Sequence, residues 1–276
     1  MTTTSALRLL CVLAHPDDES LGTGGILAKY SAEGVETYLL TATRGERGWT
    51  GEPEDNPGLE ALGRIREAEL HAAANMLGLH EVAFLDYIDG DVDQAEPLEA
   101  IARIASHLRR IRPQVVVTFA PDGYYGHPDH IATSQFTTAA LLRAADASYT
   151  CPGNEPPHLV AKLYYTLDSQ TTVELIRSYV GRFGMAVDGV ERGHVGWEEW
   201  AITTRVDATA YWHTVWQAAQ CHRSQMVGFY DQLSRAPESA HQQWFGQQTF
   251  YRVYSLMNGG RQIEDDLFAG LRVSKP

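Results

Sequence analysis

Two short stretches of this chain combine histidine, proline and acidic residues in an order suited to holding a cation. The first is His15-Pro16-Asp17-Asp18-Glu19; the second is His127-Pro128-Asp129-His130. Three consecutive carboxylates repel one another at neutral pH unless a cation, a shared proton or open solvent relieves them. Imidazole and carboxylate together suit Zn²⁺. Two histidines and one carboxylate leave a tetrahedral ion one open position for water, the arrangement of a catalytic rather than a structural site. In each stretch a second metal-capable side chain follows the first histidine by three residues. Proline fixes its own φ and discourages helix in the residue before it, so each histidine is expected in a tight turn just ahead of a helix. Taken singly, either stretch reads as a turn whose aspartate caps the next helix. Two such turns in one chain favour a metal site.

The elements that must position these turns follow from hydrophobic patterning. Residues 7–14 (LRLLCVLA) form an almost unbroken apolar run, expected as a strand buried on both faces. Residues 21–34 read as a helix ending at Gly34, and 35–43 as a second strand. A polar loop rich in glycine and proline leads to a helix over 59–78, a strand over 81–88 and an amphipathic helix over 98–113, whose late arginines suit the helix dipole. A fourth strand, 114–120, precedes the second histidine turn and a helix from Ile131 to Ala145. This alternation predicts an α/β, Rossmann-like, mostly parallel sheet with helices on both faces. In such sheets ligands bind beyond the carboxyl ends of the strands, where both histidine turns fall. Residues 157–167, 200–208 and 247–256 look like further strands, and 209–225 like a helix. The expectation is a single domain over 1–276. Its core covers about 8–148, and irregular additions over 149–276 complete the sheet and cover the site.

Composition narrows the function classes. The net charge of −13 over 276 residues, with no basic stripe, argues against a nucleic-acid partner. No apolar run reaches the ~18 residues of a membrane span. The start, MTTTSALRLL, lacks the basic and long apolar parts of a secretory signal, so a cytoplasmic protein is expected. Cys11, Cys151 and Cys221 form no CxxC pair and suit reduced, structural thiols. A dinucleotide-binding reading fails because HPDDE stands where a glycine-rich phosphate turn would be needed. The glycines of GTGG (22–25) instead suit close packing of a helix on the sheet, and the aromatics of YWHTVW suit the core. A homo-oligomer is compatible with the sequence.

AHPDDESLGTGG followed downstream by YGHPDH resembles the LmbE/PIG-L family of zinc-dependent N-acetylglucosaminyl deacetylases, which includes mycothiol- and bacillithiol-pathway enzymes. The resemblance spans residues 8–145 and includes TRGERG, RIREAELHAAANMLG and the IDG turn; beyond them it is carried mainly by HRSQ. It implies that His15, Asp18 and His130 hold Zn²⁺, a ligand set that also tolerates Fe²⁺. It further implies that Asp17 is the general base and that His127 stabilises the oxyanion or protonates the leaving amine. Tyr125 would lie near the oxyanion, and Arg66 and Asp89 would bind sugar hydroxyls. His222 and Gln225 belong to a late motif that reaches back toward the site. Glu46, in RGERG, either helps close the substrate pocket or forms a solvated pair with Arg47. Glu19 is expected at the helix start or hydrogen-bonded behind the site. Asp129 either orients a ligand histidine or caps the next helix.

The implied activity is zinc-dependent hydrolysis of the N-acetyl group of a small-molecule amino-sugar substrate, releasing acetate. An amidase acting on a larger acyl-glucosamine conjugate would share the same metal chemistry. A sugar-binding protein without catalysis is the remote alternative.

Overall fold

The computed structural model describes residues 6–226, 229–257 and 262–272. In chain order the elements are β1 (Arg8–Leu13), α1 (Asp18–Gly22), α2 (Gly24–Ala32), β2 (Glu36–Thr43), α3 (Leu59–Leu77), β3 (Glu81–Tyr87), α4 (Pro97–Ile111) and β4 (Val115–Phe119). A distorted turn, α5 (Gly123–Gly126), precedes α6 (Pro128–Ala145), β5 (Lys162–Leu167) and α7 (Gln170–Val180). The chain continues through β6 (Gly184–Val187), β7 (Val190–Gly193), β8 (Thr204–Asp207), α8 (Trp212–Ala219), α9 (Phe229–Ser234), α10 (Glu238–Gly246) and β9 (Gln247–Ser255).

Seven strands form one mixed sheet in the order β3-β2-β1-β4-β5-β9-β8. The first five named pair in parallel, and β9 runs antiparallel to both β5 and β8. The sheet is buried on both sides, which explains its continuous apolar strands. Leu9, Cys11 and Leu13 pack toward α2, α3 and α8, while Leu10 and Val12 pack toward α4 and α6. The expected α/β class is therefore the fold. Connections leave β1 toward β2 on one side and return to β4 on the other. The carboxyl ends of β1 and β4 thus flank the position where strand order reverses, the usual place for a ligand in an open α/β sheet.

Local details differ from the sequence reading for identifiable reasons. The helix expected over 21–34 is two helices, α1 and α2, meeting at Thr23. Gly24 and Gly25 permit close packing, but of helix on helix: a Cβ at Gly24 would lie 2.7 Å from Val215 in α8, and one at Gly25 2.6 Å from the Phe245 carbonyl in α10. Trp212 and Val215 are in the core, as YWHTVW suggested. Arg109, one of the late arginines of α4, does more than suit the helix dipole. It is buried, and its guanidinium donates to the carbonyls of Arg143, Ala144 and Asp146, capping the end of α6. The helix expected over 209–225 spans only Trp212–Ala219, after which the chain turns His222 inward. Helix α7, the β6–β7 hairpin and α10 were not anticipated. Among the described residues no helix is long and apolar enough to cross a membrane.

Candidate metal centre and its two chambers

Beyond β1 the chain turns through Pro16 into Asp17, whose φ of 114° and ψ of −27° lie in a region that residues with a Cβ rarely adopt. Such a conformation costs about 1–3 kcal/mol and persists only where its surroundings enforce it. They do so here. Glu19 Oε2 accepts the Asp17 amide at 2.9 Å, and the Asp17 carbonyl accepts the amides of Ser20 and Leu21. The Arg66 guanidinium donates to the Pro16 carbonyl at 2.5 Å and to Asp17 Oδ2 at 3.2 Å. Asp18 is held separately, because its Oδ2 accepts the His15 amide at 2.7 Å.

The second turn, beyond β4, has another construction. Gly123, Tyr124 and Gly126 all take positive φ, so the segment doubles back before α6 begins at Pro128. His127 caps that helix, its Nδ1 accepting the Asp129 amide at 3.2 Å. His130, one turn into α6, stacks on Phe119 at 4.0 Å between ring centroids.

These two constructions bring His15 Nδ1, Asp18 and His130 Nε2 together. The imidazole nitrogens are 3.3 Å apart, His130 Nε2 is 3.4 Å from Asp18 Oδ1, and His15 Nδ1 is 3.6 Å from Asp18 Oδ2. A tetrahedron with metal–ligand bonds of about 2.0–2.1 Å has edges of roughly 3.3–3.4 Å, so the donor atoms fit a common ion of that kind. Tautomers support the fit. His15 Nε2 lies 3.1 Å from both Asp89 Oδ1 and Asp129 Oδ2, which fix a hydrogen on Nε2; the surrounding carboxylates raise the ring's pKa, and an ion bound at Nδ1 would take the place of the second proton. Burial drives the His130 pKa down to about 3, which keeps the ring neutral as a ligand must be. His15, His127 and Asp129 also cluster. There, however, His127 Nδ1 is spent on the Asp129 amide, and the Asp129 oxygens accept the amides of Gly90 and Val92. The residues that could hold a metal ion are therefore His15, Asp18 and His130, and Asp17 lies beside them without pointing a donor into the triad.

A family model described as GlcNAc-PI de-N-acetylase (PIG-L) matches residues 10–141, the segment that carries both turns. The 1D-myo-inositol 2-acetamido-2-deoxy-alpha-D-glucopyranoside deacetylase of Kineococcus radiotolerans is 34% identical, with 97% of this chain and 84% of the relative covered. The chain belongs to the PIG-L family. The enzyme of the same name from Thermomonospora curvata is also 34% identical, over 96% of this chain and 97% of its own length. Among solved structures, a conserved protein of Thermus thermophilus matches with a TM-score of 0.65 and 28% identity, covering 92% of this chain and 97% of the other.

Around its triad this PIG-L chain forms two cavities. One, about 430 Å³, is walled by His15, Arg47, Arg66, Asp89, His127 and Asp129 among others. The other, about 280 Å³, places Leu21, Tyr124, Ile176, Phe183 and Trp244 beside Thr50, Asp168 and His194. Asp17, Asp18, Tyr125 and Gln225 line both, so the cavities meet at the triad. Burial raises the Asp17 carboxyl above its usual range; the Arg66 guanidinium opposes this, while the Asp18 carboxylate adds to it. Burial and the neighbouring His15 lower His127, favouring a neutral ring whose hydrogen is on Nε2, because Nδ1 is an acceptor. Burial keeps the Tyr125 hydroxyl protonated.

The remaining sequence candidates divide. Arg66 and Asp89 do line the polar cavity, yet both are also occupied in building it: Arg66 holds the Asp17 turn, and Asp89 orients His15. Glu46 and His222 lie behind the walls instead. Buried Glu46 accepts the Asp89 amide at 3.2 Å and forms no pair with Arg47, which pairs with Asp91. His222, fully buried, binds Glu19 Oε1 at 2.8 Å. Both were expected nearer the substrate, and nothing in single-sequence patterning separates a buried strut from a pocket residue. Asp129 orients His15 and pins the 90–92 loop; it is His127 that caps α6. Trp244, Ile176 and Phe183 were missed altogether, because they lie on elements the sequence reading did not resolve.

Proposed function

We propose that the protein hydrolyses the N-acetyl group of an N-acetylglucosamine-containing glycoside, releasing acetate and the free amine. The observation that carries this reading is the convergence of His15, Asp18 and His130 at tetrahedral spacing beside a half-buried, non-ligating carboxylate, Asp17, at the floor of an open cavity. These residues would hold Zn²⁺, or Fe²⁺ in its place. When bound, the metal supplies an electrophile for the amide carbonyl and lowers the pKa of a water from about 15.7 to about 7.

The chain's own residues account for the rest. Asp17 accepts the proton of the attacking water, a task suited to a carboxylate whose basicity burial has raised. His127, facing the polar cavity through Nε2, donates to the developing oxyanion or to the departing nitrogen, and Tyr125 supplies a second donor. Arg47, Arg66 and Asp89 offer the donors and acceptors that sugar hydroxyls require. In this reading residues 1–276 act as one domain, since the additions after residue 149 supply one wall of the site, and the enzyme works in the cytoplasm.

Acetate release from the inositol glycoside of N-acetylglucosamine by the zinc-loaded protein tests the proposal, with Asp17→Asn as control. Turnover that the control loses while retaining its metal is the expected result. Absence of turnover at full metal stoichiometry, across simple N-acetylglucosaminides, would overturn it.

A further inference from the structure

The two cavities differ in chemistry, and an amide joins two different groups. Its nitrogen and acyl substituents lie on opposite sides of the carbonyl carbon. With the carbonyl at the triad, where the cavities meet, each cavity is placed to take one substituent. Arg47, Arg66 and Asp89, which offer partners for sugar hydroxyls, line only the polar cavity, as does His127. The sugar therefore belongs there. The acyl substituent faces the other cavity, bounded by Leu21, Tyr124, Ile176, Phe183 and Trp244. Of its polar residues, the Tyr124 hydroxyl bonds Thr166 Oγ1 at 2.9 Å, while Asp168 and His194 face each other at 3.1 Å without forming an aligned hydrogen bond.

A volume of about 280 Å³ is far larger than an acetyl methyl requires. A methyl group occupies about the 30 Å³ of one water in the liquid, so the cavity has room for several methylenes beyond it. We infer that this cavity is an acyl subsite, and that the enzyme cleaves N-acyl glucosaminides whose acyl group is a medium-length apolar chain, at least as well as the N-acetyl compound. The inference rests on the amidohydrolase reading above and extends it to the acyl side. Ile176 lies on α7, Trp244 on α10 and Phe183 just ahead of β6, so chain-length preference is set by the C-terminal part of the molecule. The reaction balances as ordinary hydrolysis: the C–N bond breaks, a C–O bond forms, water supplies the hydroxyl to the acid, and its proton goes to the amine.

The experiment compares kcat/KM of the zinc-loaded full chain on N-acetyl-, N-butyryl- and N-hexanoylglucosamine, read as free amine. Each added CH₂ that enters the cavity contributes up to about fourfold, so the hexanoyl compound should equal or exceed the acetyl compound. A hexanoyl value a hundredfold below acetyl would overturn the subsite and leave the deacetylase reading intact. Ile176→Phe, which narrows the cavity, should lower the hexanoyl-to-acetyl ratio at least tenfold; an unmoved ratio counts against it. Calorimetric binding of hexanoate against acetate gives a readout independent of turnover. Hexanoate at least tenfold tighter is expected, and equal affinities would sink the inference. If no amide in the series is cleaved yet hexanoate binds preferentially, the subsite stands and the hydrolase reading fails.

Discussion

The turns after β1 and β4 share the tripeptide His-Pro-Asp, yet corresponding residues do different work. His15 presents Nδ1 to the ligand triad, whereas His127 spends Nδ1 capping α6. Asp17 takes a positive φ and faces the cavity; Asp129 is fully buried and binds His15 together with two backbone amides. The difference arises from where helix begins. After β4 the helix starts at Pro128, so the aspartate is drawn behind the site. After β1 it starts only at Asp18, and Arg66 and Glu19 hold Asp17 out of helical geometry. A motif thus fixes residue types, while the neighbours of each copy fix the role.

The comparison can be broken most severely at the ligands. His130→Ala should abolish both metal binding and turnover; near-unit metal stoichiometry by mass spectrometry would remove His130 from the triad. The two aspartates should then separate cleanly. Asp17→Asn should lower kcat by about 10²–10⁴-fold, the usual loss of a general base, with metal content unchanged. Asp129→Asn should instead weaken metal affinity by about 10–100-fold, because it loosens the carboxylate that orients His15. Competition against a chelator measures the second effect and steady-state kinetics the first. If the two variants behaved alike, the division of labour between the turns would be wrong.

How much of this arrangement the sequence discloses depends on the range of the contacts involved. The α/β alternation and the strands β1 to β4 are written locally, in apolar runs, and the two His-Pro-Asp turns read locally as a candidate metal site; the set His15, Asp18 and His130 came from the family resemblance. The acid–imidazole spacing was legible for the same reason. The roles of Asp129, Glu46 and His222 were not, because each depends on a partner far along the chain: His15 for Asp129, Asp89 for Glu46 and Glu19 for His222, the last across 203 positions. The apolar cavity was equally hidden. Its walls come from α1, α5, α7 and α10, whose meeting no local pattern reveals. Helix α7 did carry a readable signal, since Ser169 accepts the Thr172 amide ahead of buried Val173, Ile176 and Val180.

The smallest expected effect lies at His222, which tests whether the strain in the first turn is imposed from the C-terminal part of the chain. His222 and Glu19 are both fully buried and 2.8 Å apart, and the other Glu19 oxygen accepts the Asp17 amide. Removing the imidazole leaves a buried carboxylate short of its partner. His222→Ala should therefore cost about 3–5 kcal/mol in stability by urea denaturation. His222→Gln keeps an N–H donor for Glu19 and should recover most of that loss. If Glu19 needs His222 to hold Asp17 in place, kcat should fall about tenfold in the alanine variant at unchanged KM and metal content, and glutamine should restore it. Should stability fall while kcat of the folded fraction stays at the wild-type value, the pair merely fills the core. Arg66 and the amides of Ser20 and Leu21 would then suffice to hold Asp17 in its positive-φ conformation.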